Sequence, residues 1–219
     1  MTFDLAFALE ILPALLRALR VTVAATFGGT ALALTLGLAL AVMRRAPNAW
    51  VARPASWLVE VVRSTPLLIQ VYFLYYALPG LGLAASPFLT GVLALGFHYS
   101  SYAAEVYRAG IEAVPRGQWE AGRALGFPPR ALWLRVLLPQ AIPPIVPALG
   151  NYVVAMFKDT PLLAAITVLE LLQTAKIIGA ERFRYLEPLT LVGLLFLALS
   201  LIAAAAVRRV ERRLVIRHA

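Results

Sequence analysis

Several side chains that could bind a polar solute stand inside long apolar runs of the sequence. They are Gln70, His98, Ser101, Tyr102, Lys158, Asp159 and Thr160. His98, Ser101 and Tyr102 follow one another at three- and four-residue spacing, which places them on one face of a helix. An ionisable group is costly at membrane depth and is a functional candidate there. We therefore predict that these residues line a path for a polar solute.

The same residues also have structural interpretations, which stay open. The Gln70 amide could bond a neighbouring helix, and a single neutral His98 could be hydrogen-bonded within a bundle. Lys158 could neutralise the adjacent aspartate or extend to the outer surface. Glu60 and Arg63 stand three residues apart, so we expect them to form an ion pair with each other.

Covalent catalysis and metal binding are not predicted for this chain. It has no cysteine, and its two histidines, His98 and His218, are far apart. It also has no His-Glu-x-x-His motif and no paired aspartates, so an intramembrane enzyme is a weak alternative. A phosphate-binding loop is rich in glycine and ends in lysine, whereas the two lysines follow Phe157 and Ala175. We expect no cofactor, and any ATP hydrolysis must occur on another polypeptide.

Apolar runs long enough to cross a bilayer must position the polar residues. Of the 219 residues, 61% are hydrophobic and 14% are charged, a composition that needs lipid around it. About 20 helical residues cross roughly 30 Å of hydrocarbon. We predict an all-α bundle of five transmembrane helices in one domain, residues 1–219, with spans at 20–43, 57–78, 87–107, 136–157 and 188–208.

Two irregularities are expected beside the fourth span. Pro143, Pro144 and Pro147 should interrupt its helix, because proline removes a helical hydrogen bond. The apolar segment 160–169 is too short to cross, so it should be re-entrant or a buried half-helix. Transporters build solute sites at broken helices beside charges, which favours Asp159 as a pathway residue.

The arginines predict the orientation. With Met1 outside and Ala219 in the cytoplasm, 13 lysines and arginines lie inside, six lie outside and Arg63 lies in a span. Their positions at the ends of apolar runs favour lipid headgroups over nucleic acid, despite a net charge of +9. The first span is expected to be retained, because no basic region precedes it as in a signal peptide. Arg17 and Arg20 oppose the bias and would lie on an interfacial helix before that span.

The loop 115–135, between the third and fourth spans, has the most specific pattern. Gln118 to Leu125 is predicted to form a short helix with Glu120 in its first turn, as the helix dipole favours. Gly126 would end this helix in the left-handed conformation, and Pro128-Pro129 would prevent its continuation. A stiff helix in this position suits docking of a cytoplasmic partner.

This loop resembles the EAA loop of bacterial ABC-importer permeases. That pattern is Glu-Ala-Ala, three residues, Gly, nine residues and Ile-x-Leu-Pro. Here it reads Glu120-Ala121-Gly122, Gly126 and Val136-Leu137-Leu138-Pro139. The glycine at 122, where the family has alanine, should loosen the helix by up to about 1 kcal/mol. The resemblance implies that the residues contacting an ATPase are Gly117, Gln118, Glu120, Ala121 and Gly126.

Other segments narrow the resemblance to permeases of polar amino-acid uptake. They are Glu60 to Gln70, Tyr99 to Pro115 with Gly117-Gln118-Trp119-Glu120, Leu138-Pro139-Gln140-Ala141, Gly150-Asn151 and Lys158 to Leu162. Ser64 and Pro161 stand where the family usually has glycine and serine. The resemblance implies a bacterial inner-membrane subunit that pairs with itself or a close relative. Its further partners would be a cytoplasmic ABC ATPase dimer and an extracytoplasmic solute-binding protein.

These observations predict the permease subunit of an ATP-driven importer of polar amino acids or related small zwitterions. Asp159 and Lys158 would then offer charges complementary to the ammonium and carboxylate of the solute. An ATP-independent secondary transporter or channel is the alternative, and uptake driven by an ion gradient alone would favour it.

Overall fold

The computed structural model describes residues 3–216, with side chains to residue 214. Met1, Arg217, His218 and Ala219, which entered the sequence predictions, lie outside the described residues. The described elements are all helical, which confirms the predicted all-α fold. The α-helices are α1 (Leu5–Arg44), α2 (Ala49–Ser64), α3 (Leu67–Tyr72), α4 (Pro87–Glu112), α5 (Arg116–Ala124), α6 (Pro129–Leu132), α7 (Leu138–Asp159), α8 (Leu171–Arg182) and α9 (Leu186–Ile216).

The first predicted span is part of one helix of 40 residues, α1. Asp4 caps this helix by accepting a hydrogen bond from the Phe7 N–H (3.1 Å). That hydrogen bond, together with the Arg184 guanidinium, lowers the pKa of Asp4 below its ordinary value. The separate interfacial helix predicted for Arg17 and Arg20 is wrong, because no helix-breaking residue divides them from the apolar run and the helix propagates through both.

The second predicted span is wrong as a continuous helix. The chain bends by 106° between α2 and the helical segment Leu67–Leu81. Thr65 has an extended backbone, as the following Pro66 favours, and Pro66 has no N–H to offer the Val62 carbonyl. Gln70 compensates, since its Nε2 donates to the carbonyl oxygens of Val62 (2.8 Å) and Thr65 (3.0 Å).

The predicted interruption of the fourth span is also wrong. Pro143, Pro144 and Pro147 all lie inside α7, since packed membrane helices tolerate proline where neighbours satisfy the freed backbone groups. The irregular backbone instead flanks α7, as a π-helical turn over Trp133–Leu137 and a 3₁₀ helix over Thr160–Ile166. The 3₁₀ helix has buried side chains and corresponds to the predicted buried half-helix.

Close packing of α1 against α4 forms the centre of the molecule, and glycines permit it. A Cβ atom on Gly37 would lie 2.8 Å from the Ser100 carbonyl oxygen, and one on Gly96 would lie 2.6 Å from Leu32 Cδ2. Small residues are how membrane helices approach one another closely. The polar residues of α4 therefore lie on a helix that is packed closely against α1.

Three of the described helical stretches are long and apolar enough to cross a membrane. They are α1, Pro129–Ile166 and the part of α9 over Leu186–Leu214. Helix α2 and the segment Leu67–Leu81 would make a fourth if they are counted together as one bent span. Helix α4, the predicted third span, is not among them. The count of five spans therefore stays a prediction.

Candidate functional site

The predicted pathway residues of α4 form an aromatic cluster with α7. The His98 ring lies 5.5 Å from Tyr99 and 5.2 Å from Tyr102, and Tyr102 lies 5.4 Å from Tyr152. The Tyr99 hydroxyl donates a 2.7 Å hydrogen bond to Asp159 Oδ2. One carboxylate is thus held beside four aromatic rings, where α4 meets the end of α7.

Sequence reasoning missed Tyr152, although a signal for it exists. Tyr152 and Asp159 are seven residues apart, which is two helical turns, so they share one face of α7. The pairing of Tyr99 with Asp159 joins residues 60 apart in the chain, and local spacing cannot predict it.

The other predicted pathway residues are placed differently. Ser101 and Thr160 each donate a hydrogen bond to the carbonyl oxygen three residues earlier, at 2.6 and 2.7 Å. Gln70 lies at the break after α2, and Lys158 is exposed and outside the cluster. Buried His98 has no hydrogen-bond partner for Nδ1 in the part of the chain that the structure describes. The structure therefore brings together His98, Tyr102 and Asp159, and it leaves Lys158 apart.

A second polar group lies where α1, α2 and α4 meet. Glu105 accepts hydrogen bonds from Arg44 Nη1 (2.5 Å) and from Arg108 Nε and Nη2 (2.9 and 2.8 Å). Arg63 Nη1 lies 3.7 Å from Glu105 Oε1, and its guanidinium lies 5.5 Å from the centre of the Tyr102 ring. Glu105 thus balances three arginines and, through Arg63, adjoins the aromatic cluster.

The predicted ion pair between Glu60 and Arg63 is therefore wrong. Arg63 contacts Glu105 from a neighbouring helix, while the Glu60 side chain is exposed on α2. The Glu105 side chain is only 21% exposed, so its charge is screened less by water than that of an exposed Glu60.

We expect Glu105→Gln to lower the free energy of unfolding by about 2 kcal/mol, because it leaves three arginines without their shared carboxylate. Thermal unfolding of the purified protein would measure this change. Glu112→Gln is the matched control on the same helix. Glu112 is half exposed and pairs with Arg108 alone, so we expect a loss below about 1 kcal/mol. Equal losses in the two variants would contradict the assignment of Glu105 as the shared anion.

The helix predicted in the loop 115–135 is confirmed as α5. It begins at Arg116, two residues earlier than predicted, so Glu120 lies in its second turn and not its first. Gly126 has φ +73°, as predicted for a residue that ends a helix. The N–H groups of Gly126 and Phe127 bond the carbonyls of Arg123 (3.0 Å) and Gly122 (3.1 Å), which closes the last turn.

One face of α5 is open to a partner. All five predicted coupling residues are exposed, Gly117, Gln118, Glu120 and Ala121 on α5 and Gly126 just after its end. No cation lies within salt-bridge distance of Glu120 among the described residues. Beside Glu120 is a groove of about 570 Å³ lined partly by Arg45, Arg116 and Arg123. Glu120 is itself exposed, so its carboxylate is accessible to a partner.

Helix α5 also contacts the start of the predicted fourth span. Trp119 meets Trp133 edge to face at 5.2 Å, and Gln140 Nε2 donates to Gln118 Oε1 at 3.3 Å. Gly122 is buried, and a Cβ atom there would crowd Leu132 Cδ1, so alanine would require the leucine side chain to shift. Glycine in place of the usual alanine thus permits close contact, besides any loosening of the helix.

Known proteins with similar sequences are transporter permeases. A "probable amino-acid ABC transporter permease protein" of Sinorhizobium fredii is 50% identical over 208 residues, covering 95% of this chain and 90% of the relative. The L-cystine transport system permease of Bacillus subtilis is 34% identical over 192 residues, covering 84% and 82%. The arginine transport system permease of the same organism is 33% identical over 218 residues, covering 98% of each chain.

Solved structures agree with the sequence comparison. An amino acid ABC transporter crystallised with histidines matches with a TM-score of 0.92 and 34% identity, over 97% of this chain and 100% of that one. The MetNI methionine ABC transporter has the same fold, with a TM-score of 0.80 and 23% identity. Residues 33–216 match the family described as the binding-protein-dependent transport system inner membrane component. The resemblance read from the EAA-like loop is confirmed, and this chain belongs to that family of membrane-spanning ABC transporter permeases.

Proposed function

We propose that this chain forms the pathway for polar amino acids or related small zwitterions in an ATP-driven importer. One observation carries the proposal: α5, with its exposed Glu120, packs on the start of the same helical stretch that ends at Asp159 in the aromatic cluster. A site for an energy-supplying partner and a candidate solute site are thereby joined. The substrates named for the relatives support the solute class.

The aromatic cluster suits a zwitterion. Asp159 offers a carboxylate to an ammonium group, and the faces of Tyr99 and Tyr102 attract cations. Arg63, whose guanidinium lies 5.5 Å from the centre of the Tyr102 ring, offers a donor to a carboxylate. Lys158 is exposed, and we propose no solute contact for it. His98, with its unpartnered Nδ1, completes the polar surface of the proposed site.

Helix α7 is the proposed mechanical link between the two sites. Its 22 residues span about 33 Å at 1.5 Å per residue. The contacts of Gln118 and Trp119 fix α5 to its beginning, and Tyr152 and Asp159 lie near its end. A displacement of α5 would therefore move the carboxylate relative to the rings of α4.

The energy source in this proposal is a cytoplasmic ABC ATPase dimer on separate chains, because this sequence lacks a phosphate-binding loop. A second permease subunit, identical or homologous, would complete the pathway, and an extracytoplasmic binding protein would deliver the solute. Membrane lipid would surround the assembly in the bacterial inner membrane, and nucleic acid has no part.

Reconstitution tests this function. We expect vesicles containing the permease, its ATPase and its binding protein to accumulate a radiolabelled polar amino acid only when ATP is enclosed with the ATPase. Uptake by the permease alone under a proton or sodium gradient would contradict the proposal and support the secondary transporter. The binding protein should be assayed separately for solute binding, so that a missing substrate is not mistaken for a missing activity.

The proposed orientation can be tested with single cysteines, since the natural chain has none. Leu125 at the end of α5 is 76% exposed, and Phe183 between α8 and α9 is 89% exposed. In intact cells we expect a membrane-impermeant maleimide to label Phe183→Cys and to label Leu125→Cys only after permeabilisation. The reverse pattern would invert the orientation and remove α5 from the cytoplasm.

A further inference from the structure

Helix α2 carries an outward face that no part of the transport mechanism uses. Trp50, Arg53 and Trp57 stand at three- and four-residue spacing on one side of the helix, with the two tryptophans 89% and 69% exposed. The opposite side, which includes Ala55 and Val59, is buried in a cluster with residues near the ends of α1 and α4. Helix α2 is therefore amphipathic and presents tryptophan and arginine outward.

The direction of α2 sets it apart from the helices that follow. It is bent by 106° from Leu67–Leu81, so the two segments cannot both run along the bilayer normal. Its buried residues share one small cluster with Leu40, Ala41 and Ala104, close to the charged ends of α1 and α4. These contacts place α2 at one end of the bundle, where the chain leaves the apolar region.

The charges on the outward face also exclude a position in the hydrocarbon. Arg53 has no carboxylate within salt-bridge distance among the residues that the structure describes, and Glu60 is exposed on the same face. Unpaired charges facing acyl chains are costly, whereas tryptophan and arginine are both favoured at the headgroup level. Arginine also forms paired hydrogen bonds with phosphate, and the indole N–H of tryptophan is a further donor.

We propose that the outward face of α2 binds the headgroup of an anionic phospholipid, with α2 lying along the membrane surface. The phosphate would occupy the groove of about 500 Å³ lined by Ala49, Trp50, Arg53, Pro54 and Trp57. Arg53 supplies the charge that the lipid neutralises, and the two indole rings flank the headgroup. The site is independent of the proposed transport function, and the proposed orientation would place it in the cytoplasmic leaflet.

Spin labels on single cysteines test the direction of α2. Pro54 and Val61 are seven residues apart on the outward face, about 10 Å along a helix. We expect nitroxides at Pro54→Cys and Val61→Cys in reconstituted protein to report the same shallow depth from oxygen and nickel-chelate accessibility. Leu197→Cys on α9 serves as the deep reference and Arg130→Cys as the aqueous one. A depth difference near 10 Å would show that α2 crosses the bilayer and would overturn the proposal, and so would labels shielded from both relaxants by a protein partner.

Fluorescence quenching tests the headgroup. In full-length permease with Trp119→Phe and Trp133→Phe, emission comes from Trp50 and Trp57 alone. We expect brominated phosphatidylglycerol to bind this site, and so to quench the emission, with about fivefold higher affinity than brominated phosphatidylcholine. This ratio is the preference for anionic lipid that one arginine at the membrane surface provides. Arg53→Gln should reduce that ratio to about one, whereas the matched control Arg17→Gln, with the same loss of charge on α1, should leave it unchanged. No preference in the parent protein, or equal effects of the two substitutions, would overturn the proposal.

Discussion

The permease carrying Glu120→Lys is expected to fold and insert normally but to lose its ATPase during purification. Glu120 is exposed on α5, and no described cation pairs with it, so its acceptor oxygens are available to a partner. Arg45, Arg116 and Arg123 line the same groove, and a fourth cation there would repel a basic partner surface. Loss of charge-assisted hydrogen bonds should weaken the contact by about 1.5–3 kcal/mol, or roughly 10- to 150-fold in affinity.

The measurement is the ATPase content of the complex purified through a tag on the permease. Glu181→Lys is the matched control, because it makes the same charge reversal on an exposed residue of α8, far along the chain from α5. Glu120→Gln should retain more ATPase than Glu120→Lys, since an amide still accepts a hydrogen bond. If the Glu120→Lys complex kept its full ATPase content and solute-stimulated hydrolysis, α5 would not be the coupling element.

A second outcome separates contact from folding. Lost transport alone is uninformative, because a misfolded permease would also fail to transport. The Glu120→Lys protein should therefore show the same thermal unfolding as the parent, since the Glu120 side chain is exposed and forms no ion pair with the other described residues. An intact permease that no longer holds its ATPase is the discriminating result.

The parts that were predictable from the sequence depend on short-range chemistry. Helix α5 was found because Gly126 followed by Pro128-Pro129 is a local signal for the end of a helix. Its exposed face follows from the same local pattern. The residues at the aromatic cluster were partly found for the same reason, since His98 and Tyr102 are one turn apart on α4.

The wrong predictions concern residues whose partners lie far away in the sequence. A spacing rule paired Glu60 with Arg63, yet Glu105 binds Arg63 from another helix and Arg44 from 61 residues away. The predictions for proline failed for a similar reason: a break at one proline was missed, and a break at others was predicted wrongly. Pro66 interrupts the helix at a place where the Gln70 amide can bond the carbonyls that lose their partners. Pro143, in contrast, lies within a continuous packed helix. Which outcome occurs depends on neighbours that a single sequence does not show.

Asp159→Asn is expected to abolish most solute uptake while leaving the complex assembled. The asparagine amide has nearly the same shape, and its oxygen can still accept the hydrogen bond from the Tyr99 hydroxyl. The substitution therefore removes the charge and preserves the packing of the aromatic cluster. A solute ammonium would lose a charged hydrogen bond worth about 1.5–3 kcal/mol, which corresponds to a rise of roughly 10- to 150-fold in the apparent KM for uptake.

Two neighbouring substitutions define what a loss of uptake means. Lys158→Gln removes a charge of the same size and opposite sign at the adjacent position. Lys158 is exposed and outside the cluster, so the KM of this variant should change less than about twofold. Tyr99→Phe keeps the ring and removes the hydroxyl that holds Asp159, so it should raise KM by an intermediate factor. The binding protein, the ATPase content and basal ATP hydrolysis should be the same in all three complexes.

An unchanged KM in Asp159→Asn would reduce the carboxylate to a structural partner of Tyr99. An equal rise in Lys158→Gln would instead assign the solute site to the pair of adjacent charges, because only then would the exposed lysine bind the carboxylate of the solute.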